Sequence, residues 1–261
     1  PRESRSEKRF PNPESATPFS KLSIHSASME FNQIPFICAT PTVGSGQFSF
    51  PIAMKTPIFY KSAFRLRVRG SEHIPAVGPC VIAANHASHL DAPAILAALD
   101  LKRARTLRVL GARDYFFDTK LKGWLFRTFL NLVPVEREEV ALAGLKMSKR
   151  LLENGNLILI FPEGTRSRTG KTQPFKPGLG LIALEAGVPI VPAYIKGTHK
   201  AMPPGQLFPR LRPIEVIFAS PIPMKRYKKG VFDGPREPLY RHIANDVQEA
   251  IAELARESTL P

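Results

Sequence analysis

A histidine and an aspartate stand five positions apart in Asn85-His86-Ala87-Ser88-His89-Leu90-Asp91, and the pair has the makings of a base and its orienter. An imidazole with one nitrogen held by a carboxylate keeps the other free to take a proton from a hydroxyl. For the two to meet, the chain must fold back between them. The flanking residues fit such a turn. Residues 79–84 are an apolar run of strand length, and Asp91-Ala92-Pro93 followed by residues 94–99 reads as the opening of a helix. His86 would then leave the end of a buried strand. Two other readings fit the same spacing. Asp91 can be a helix N-cap, with His86 a hydrogen-bonded loop residue, and His86, His89 and Asp91 can be part of a metal site. The metal reading lacks a second ligand cluster, because His25, His73, His199 and His242 are scattered and Cys38 and Cys80 are isolated.

A second informative stretch follows residues 157–161, an apolar strand of the kind buried on both faces. It runs into Pro162-Glu163-Gly164-Thr165-Arg166-Ser167-Arg168. Gly164 permits an unusual backbone turn, Thr165 and Ser167 bring hydroxyls, and Arg166 and Arg168 bring fixed positive charge. Such a loop suits a phosphate. Two nearby patterns imitate nucleotide sites without matching them. From Gly164 to Gly170-Lys171-Thr172 the glycine spacing is one residue too long for a P-loop, and Pro174 interrupts the helix that should follow. Gly178-Leu179-Gly180-Leu181-Ile182-Ala183 follows Phe175-Lys176-Pro177, which is not a strand, so it fails as a dinucleotide fingerprint.

The elements that must position these stretches can be read from periodicity. Residues 64–70 alternate apolar and basic, as a strand with one wet face does. A turn-rich connector leads to the strand before His86. After the helix from Asp91 come a basic connector (Lys102, Arg103, Arg105), a strand at 107–110, a strand at 132–135, and a helix over 138–153 stopped by Asn154-Gly155. A helix over 178–185 ends at Gly187, residues 188–195 return to the sheet, and 214–218 form a last strand. Leu239, Ile243, Val247, Ile251 and Leu254 repeat on one face of a C-terminal amphipathic helix. Strands alternating with helices predict a single α/β domain with a central, largely parallel mixed sheet flanked by helices.

Residues 1–56 are rich in Ser, Pro and Thr without a sustained period, which predicts a poorly ordered basic extension before a domain over 57–261. The formal net charge is +15 over 261 residues, and most of the excess lies beyond residue 56. Such a surface seeks anionic lipid, anionic small molecules or nucleic acid. No run of eighteen apolar residues exists, so the sequence predicts peripheral rather than spanning membrane contact. Residues 116–130 interleave Phe116, Phe117, Trp124, Phe126 and Phe129 with Lys120, Lys122 and Arg127. This segment fits either a bilayer interface or an ordinary helix docked on the sheet.

Four ordered blocks resemble those of the glycerolipid acyltransferase family, enzymes that acylate glycerol phosphate and lysophospholipids, with 1-acylglycerol-3-phosphate acyltransferase as a central member. Residues 85–91 are similar to its N-H-x-S-x-x-D block, Arg137 falls where a second block places an arginine, residues 161–166 match F-P-E-G-T-R, and 188–192 match V-P-I-x-P. The second block departs from the family pattern: Asn131 and Pro134 hold the places of its glycine and aromatic. The resemblance covers about residues 64–221 and implies a glycerol-phosphate acyltransferase-like fold.

The resemblance further implies acyl transfer from a thioester, on coenzyme A or acyl-carrier protein, to the free hydroxyl of lysophosphatidate or another lysolipid, without cofactor or metal. His86 would be the base and Asp91 its orienter. An imidazole ordinarily titrates near about 6.5, which suits that task. Asn85, Ser88, Arg137, Glu163, Gly164, Thr165 and Arg166 would serve substrate binding, with Arg137, Arg166 and the turn at Gly164 on the phosphate and Glu163 ordering the loop. The expected setting is an anionic membrane surface at its cytoplasmic face, with no specific nucleic acid. The competing class is a non-catalytic basic module for membrane or nucleic acid. It lacks a zinc-finger, RRM or helix-turn-helix signature, and only salt-resistant binding to heparin or DNA would favour it.

Overall fold

The apolar run before His86 forms β2 (Cys80–Ala84), whose side chains are all buried. Cys80, Ile82 and Ala84 pack on one side of the sheet, and Val81 and Ala83 on the other. Burial on both faces explains why the run is apolar throughout rather than alternating. The computed structural model describes residues 50–112, 132–135, 140–206, 208–228 and 236–259.

Around β2 lie β1 (Arg67–Arg69), β3 (Leu107–Ala112), β4 (Leu132–Val135), β5 (Leu157–Ile160), β6 (Ile190–Lys196) and β7 (Glu215–Phe218), in the order β1-β7-β6-β2-β5-β3-β4. Every neighbouring pair is parallel except β6 with β7. This is the largely parallel, mixed sheet that the alternation of strands and helices predicts. Pro134, which can donate no ladder hydrogen bond, falls on the edge strand β4, where that loss is tolerated.

One face of the sheet is covered by α1 (Phe50–Ala63), α2 (Asp91–Ala98) and α3 (Leu101–Thr106), with Tyr60, Phe64, Ile95 and Ala104 in their core. The opposite face is covered by α4 (Val140–Glu153), α5 (Gly178–Ala186) and α8 (Glu237–Glu257). Two short helices, α6 (Thr198–Ala201) and α7 (Lys225–Lys228), lie in the connections on either side of β7. The five apolar residues expected on one face of the C-terminal helix are all buried. Where α8 crosses α5, a Cβ on Gly180 would come within 2.3 Å of the Tyr240 carbonyl oxygen, so only glycine allows this approach.

Two expectations change. The segment holding Lys102, Arg103 and Arg105 is helical, because Asp100 caps α3 by accepting the Arg103 N–H at 2.8 Å. The strand expected over 64–70 is confined to β1; Arg65 is left-handed at φ 44° and the Phe64 and Leu66 N–H groups both donate to the Tyr60 carbonyl, so these residues form the turn that ends α1 rather than a strand. The helix α1 contains Pro57. Among the described residues no helix is long and apolar enough to cross a membrane.

Candidate active site

The two informative stretches converge because their strands are neighbours. β2 pairs with β5 in parallel, with Ala83 opposite Ile160, and with β6 in parallel, with Ala84 opposite Ala193. The carboxyl ends of all three strands therefore lie at one edge of the sheet, where open α/β sheets hold their ligands. His86 and Glu163, 77 positions apart, meet there.

Between His86 and Asp91 the chain folds back, as the spacing requires. His86 Nδ1 lies 2.8 Å from Asp91 Oδ2. A carboxylate only accepts, so Nδ1–H is the donor, and in the neutral ring Nε2 carries the lone pair. The same Oδ2 accepts the backbone N–H groups of Ala87 at 2.7 Å and Ser88 at 2.8 Å. This geometry removes the N-cap reading. Asp91 is the first residue of α2, and its carboxylate reaches back to residues 86–88 rather than forward into the helix. Among the described residues no three His, Cys, Asp or Glu side chains converge as a metal-ligand set. Asp91 is fully buried and His86 retains 17% side-chain exposure.

The second stretch braces the histidine. Glu163, buried, accepts the His86 N–H through Oε1 at 2.8 Å and the Gln173 N–H through Oε2 at 2.9 Å. Ser167 N–H donates to the His86 carbonyl at 2.8 Å, so both backbone groups of His86 are fixed by the F-P-E-G-T-R loop. The His86 ring stacks on Phe161 with centroids 4.1 Å apart and planes 17° from parallel. Burial pushes the Glu163 carboxyl above its ordinary range, while the two backbone N–H groups oppose that shift.

The remaining predicted residues divide by geometry. Asn85 is spent on the frame: Nδ2–H donates to the Ile195 carbonyl at 2.9 Å and Oδ1 accepts the Ile195 N–H at 2.7 Å. Ser88 is likewise buried, donating its hydroxyl to the Met202 carbonyl at 2.7 Å and accepting the Leu90 N–H at 3.1 Å. Both side chains hold neighbouring chain segments. Gly164 is left-handed at φ 75° and, like Thr165, exposed. Arg137 and the segment 116–130 lie outside the described residues.

Arg166 is half-buried and close enough to His89 to act on it. Burial first, then repulsion by Arg166 and by His86, lowers the His89 imidazole to about 4 against the opposing pull of Asp91, so His89 is neutral beside the site at neutral pH. Sequence reasoning assigned His89 only to a metal reading and passed over Phe161 as a stacking partner and Lys176. The Lys176 ammonium lies at the turn, 2.6 Å from where a Cβ on Gly164 would stand. The Lys176 N–H to Pro162 carbonyl bond at 2.9 Å returns it there, a link that local patterns do not carry.

Beside the motif, a cavity of about 210 Å³ is bounded by Asn85, Ala87, Thr169, Gly170 and residues 194–200. Its wall holds Lys196, His199 and Lys200, together with Thr198, a buried residue whose hydroxyl has no partner among the described residues.

A family model described as Acyltransferase matches residues 65–196, half of the chain, and spans both stretches and the three strands that carry them. The chain belongs to the acyltransferase family. Among curated members, it is 33% identical over 150 residues to the chloroplastic 1-acyl-sn-glycerol-3-phosphate acyltransferase BAT2 of Brassica napus, covering 56% of this chain and 40% of that protein. It is 35% identical over 160 residues to the 1-acyl-sn-glycerol-3-phosphate acyltransferase of Limnanthes douglasii, covering 60% of this chain and 54% of that one. The chain thus spans about half the length of these relatives. The crystal structure of the 1-acyl-sn-glycerophosphate acyltransferase PlsC from Thermotoga maritima matches 78% of this chain and 79% of its own, with a TM-score of 0.59 and 28% identity. The sheet and its flanking helices belong to this shared fold.

Proposed function

We propose that the chain transfers a fatty acyl group from an acyl thioester, on coenzyme A or acyl-carrier protein, to the free hydroxyl of 1-acylglycerol-3-phosphate, forming phosphatidic acid. The observation that carries this reading is the His86 Nδ1 to Asp91 Oδ2 bond at 2.8 Å, with His86 held from both sides by the loop that contains Arg166. Neutral His86 Nε2 takes the acceptor's hydroxyl proton as its oxygen bonds to the thioester carbonyl carbon. The carbon–sulfur bond then breaks, and the imidazolium returns the proton to the thiolate. Asp91 stabilises the imidazolium in between. No enzyme-bound acyl group is required.

Arg166 and the left-handed turn at Gly164 hold the acceptor's phosphate in this reading, with Lys176 adding charge from below the turn. Glu163 keeps the role of ordering the loop, since its two oxygens are occupied by backbone N–H groups. The names of the relatives favour lysophosphatidate as acceptor. The strongly basic surface favours work at an anionic membrane face.

Transfer from labelled acyl-coenzyme A and acyl-carrier protein to lysophosphatidate, with wild type beside His86→Ala, tests the proposal. Phosphatidate that forms with wild type and disappears with the variant supports both the reaction and its base. Product that persists in the variant refutes His86 as the base. Product with other lysolipids but not with lysophosphatidate refutes the acceptor.

A further inference from the structure

The chain leaves β6 at Lys196, forms α6, and crosses the carboxyl edge of the sheet through residues 202–213 before entering β7. The ends of this crossing are fixed. At its start the Ser88 hydroxyl donates to the Met202 carbonyl at 2.7 Å, tying it to the catalytic motif. Arg210 N–H donates to the Ala201 carbonyl at 2.8 Å, and fully buried Ile214 donates to the Phe64 carbonyl at 3.0 Å. Pro203, Pro204, Pro209 and Pro213 restrict the backbone further.

On this fixed base the side chains are arranged against expectation for a loop in water. Phe208 is 80% exposed and Leu211 67% exposed. They alternate with Arg210 and Arg212, both exposed, and residues 202–213 contain no acidic residue. Large apolar side chains interleaved with cations are the composition of segments that lie in a headgroup layer, where the rings and aliphatic chains enter the acyl boundary and the cations meet anionic lipid. A protein partner would need an apolar pocket rimmed with acids; a bilayer supplies both features as bulk properties. We propose that residues 208–212 are a docking tip that seats the carboxyl edge of the sheet on an anionic lipid surface. Its tie through Ser88 places the site at that surface, so an acceptor with an acyl chain need not leave the bilayer fully to reach His86. That last consequence rests on the acyl-transfer reading; the docking itself does not.

Flotation with phosphatidylcholine vesicles, with and without phosphatidylglycerol, tests the tip in the full chain. Phe208→Ala with Leu211→Ala is expected to weaken binding to the anionic vesicles by about tenfold or more. Arg210→Ala with Arg212→Ala is expected to weaken it by about fivefold per arginine at low salt and to flatten the salt dependence. Val77, 76% exposed but before the amino end of β2 and so at the opposite edge of the sheet, is the control; Val77→Ala should float as wild type. The proposal is overturned if the Phe208/Leu211 variant floats as wild type, if Val77→Ala loses as much, or if the arginine pair has no effect. Acyl transfer to a short-chain, water-soluble lysophosphatidate, measured on the same variants, separates the two readings. Its persistence alongside lost flotation supports docking and leaves the chemistry standing, whereas its absence in wild type refutes the chemistry alone.

Discussion

Asp91→Asn is the sharpest perturbation of the proposed mechanism, because the structure lets it remove charge while keeping shape. Oδ2 faces three donors, of which the Ala87 and Ser88 N–H groups cannot change into acceptors. The asparagine must therefore turn its carbonyl oxygen to that position and its amide toward the site of Oδ1, which has no partner among the described residues. His86 Nδ1–H can still donate to that oxygen, and Nε2 remains the base. What is lost is the negative charge beside the imidazolium that forms as the hydroxyl proton is taken. Unit charges at roughly 4 Å in an effective dielectric of about 20 interact by about 4 kcal/mol, equivalent to about a thousandfold in rate. Three hydrogen bonds each weakened by about 1 kcal/mol on losing charge assistance would lower stability by about 3 kcal/mol, partly offset by relief of the buried carboxylate's desolvation. The expected outcome is a kcat lower by about two to four orders of magnitude, with KM for both substrates little changed and a cooperative urea transition at lower midpoint. A kcat within tenfold of wild type in a folded Asp91→Asn protein would refute the charge argument.

Glu163→Gln should separate the bracing of His86 from its chemistry: one of the two backbone donors, His86 N–H or Gln173 N–H, would face an amide NH₂ instead of an oxygen. A stability loss of about 1–3 kcal/mol and a tenfold or greater fall in kcat are expected, checked by urea melts and initial rates. Asn85→Ala leaves both backbone groups of Ile195 without their partners in a buried place, and is expected to cost about 2–5 kcal/mol; calorimetry showing an unchanged melting temperature would contradict its role in the frame. His89, held in the fold at about 4 against an ordinary value of about 6.5, favours its neutral form, so its contribution is complete above about 6.5 and is lost as pH falls toward about 4. The melting temperature of His89→Gln should therefore fall less than that of wild type over that range; parallel curves would refute the effect.

The site was legible where its chemistry is local. Five positions between His86 and Asp91, with a strand before and a helix after, suffice to suggest a fold-back, although distant residues then brace it. The loop after residue 161 likewise carries its turn glycine and its cations within a few positions. The adjacency of β2 and β5 was not legible, because β3 and β4 intervene in sequence while standing outside β5 in the sheet. α3 was missed because six residues are too few to show a helical period, although Asp100 three positions before Arg103 is its cap signal. The start of α1 was hidden by Pro51 and Pro57, which imitate the extension before it. The hydrogen-bond partners of Asn85 and Ser88 could not be read from local pattern. Those partners, Ile195 and Met202, lie 110 and 114 positions away.

The ties of Asn85 and Ser88 add to what the first motif encodes. In the proposed mechanism its histidine and aspartate form the chemical pair, while its asparagine and serine bind the motif to the end of β6 and the crossing after it. β2 ends at Ala84, opposite Ala193, and Asn85, the next residue, supplies the partners of the buried Ile195 N–H and carbonyl. The V-P-I-x-P block overlaps the start of β6, the strand that carries the chain to Ile195 and so to Asn85. A displacement of β6 therefore pulls on Asn85, one residue from His86, while a displacement of the 202–213 crossing pulls on Ser88, two residues beyond it.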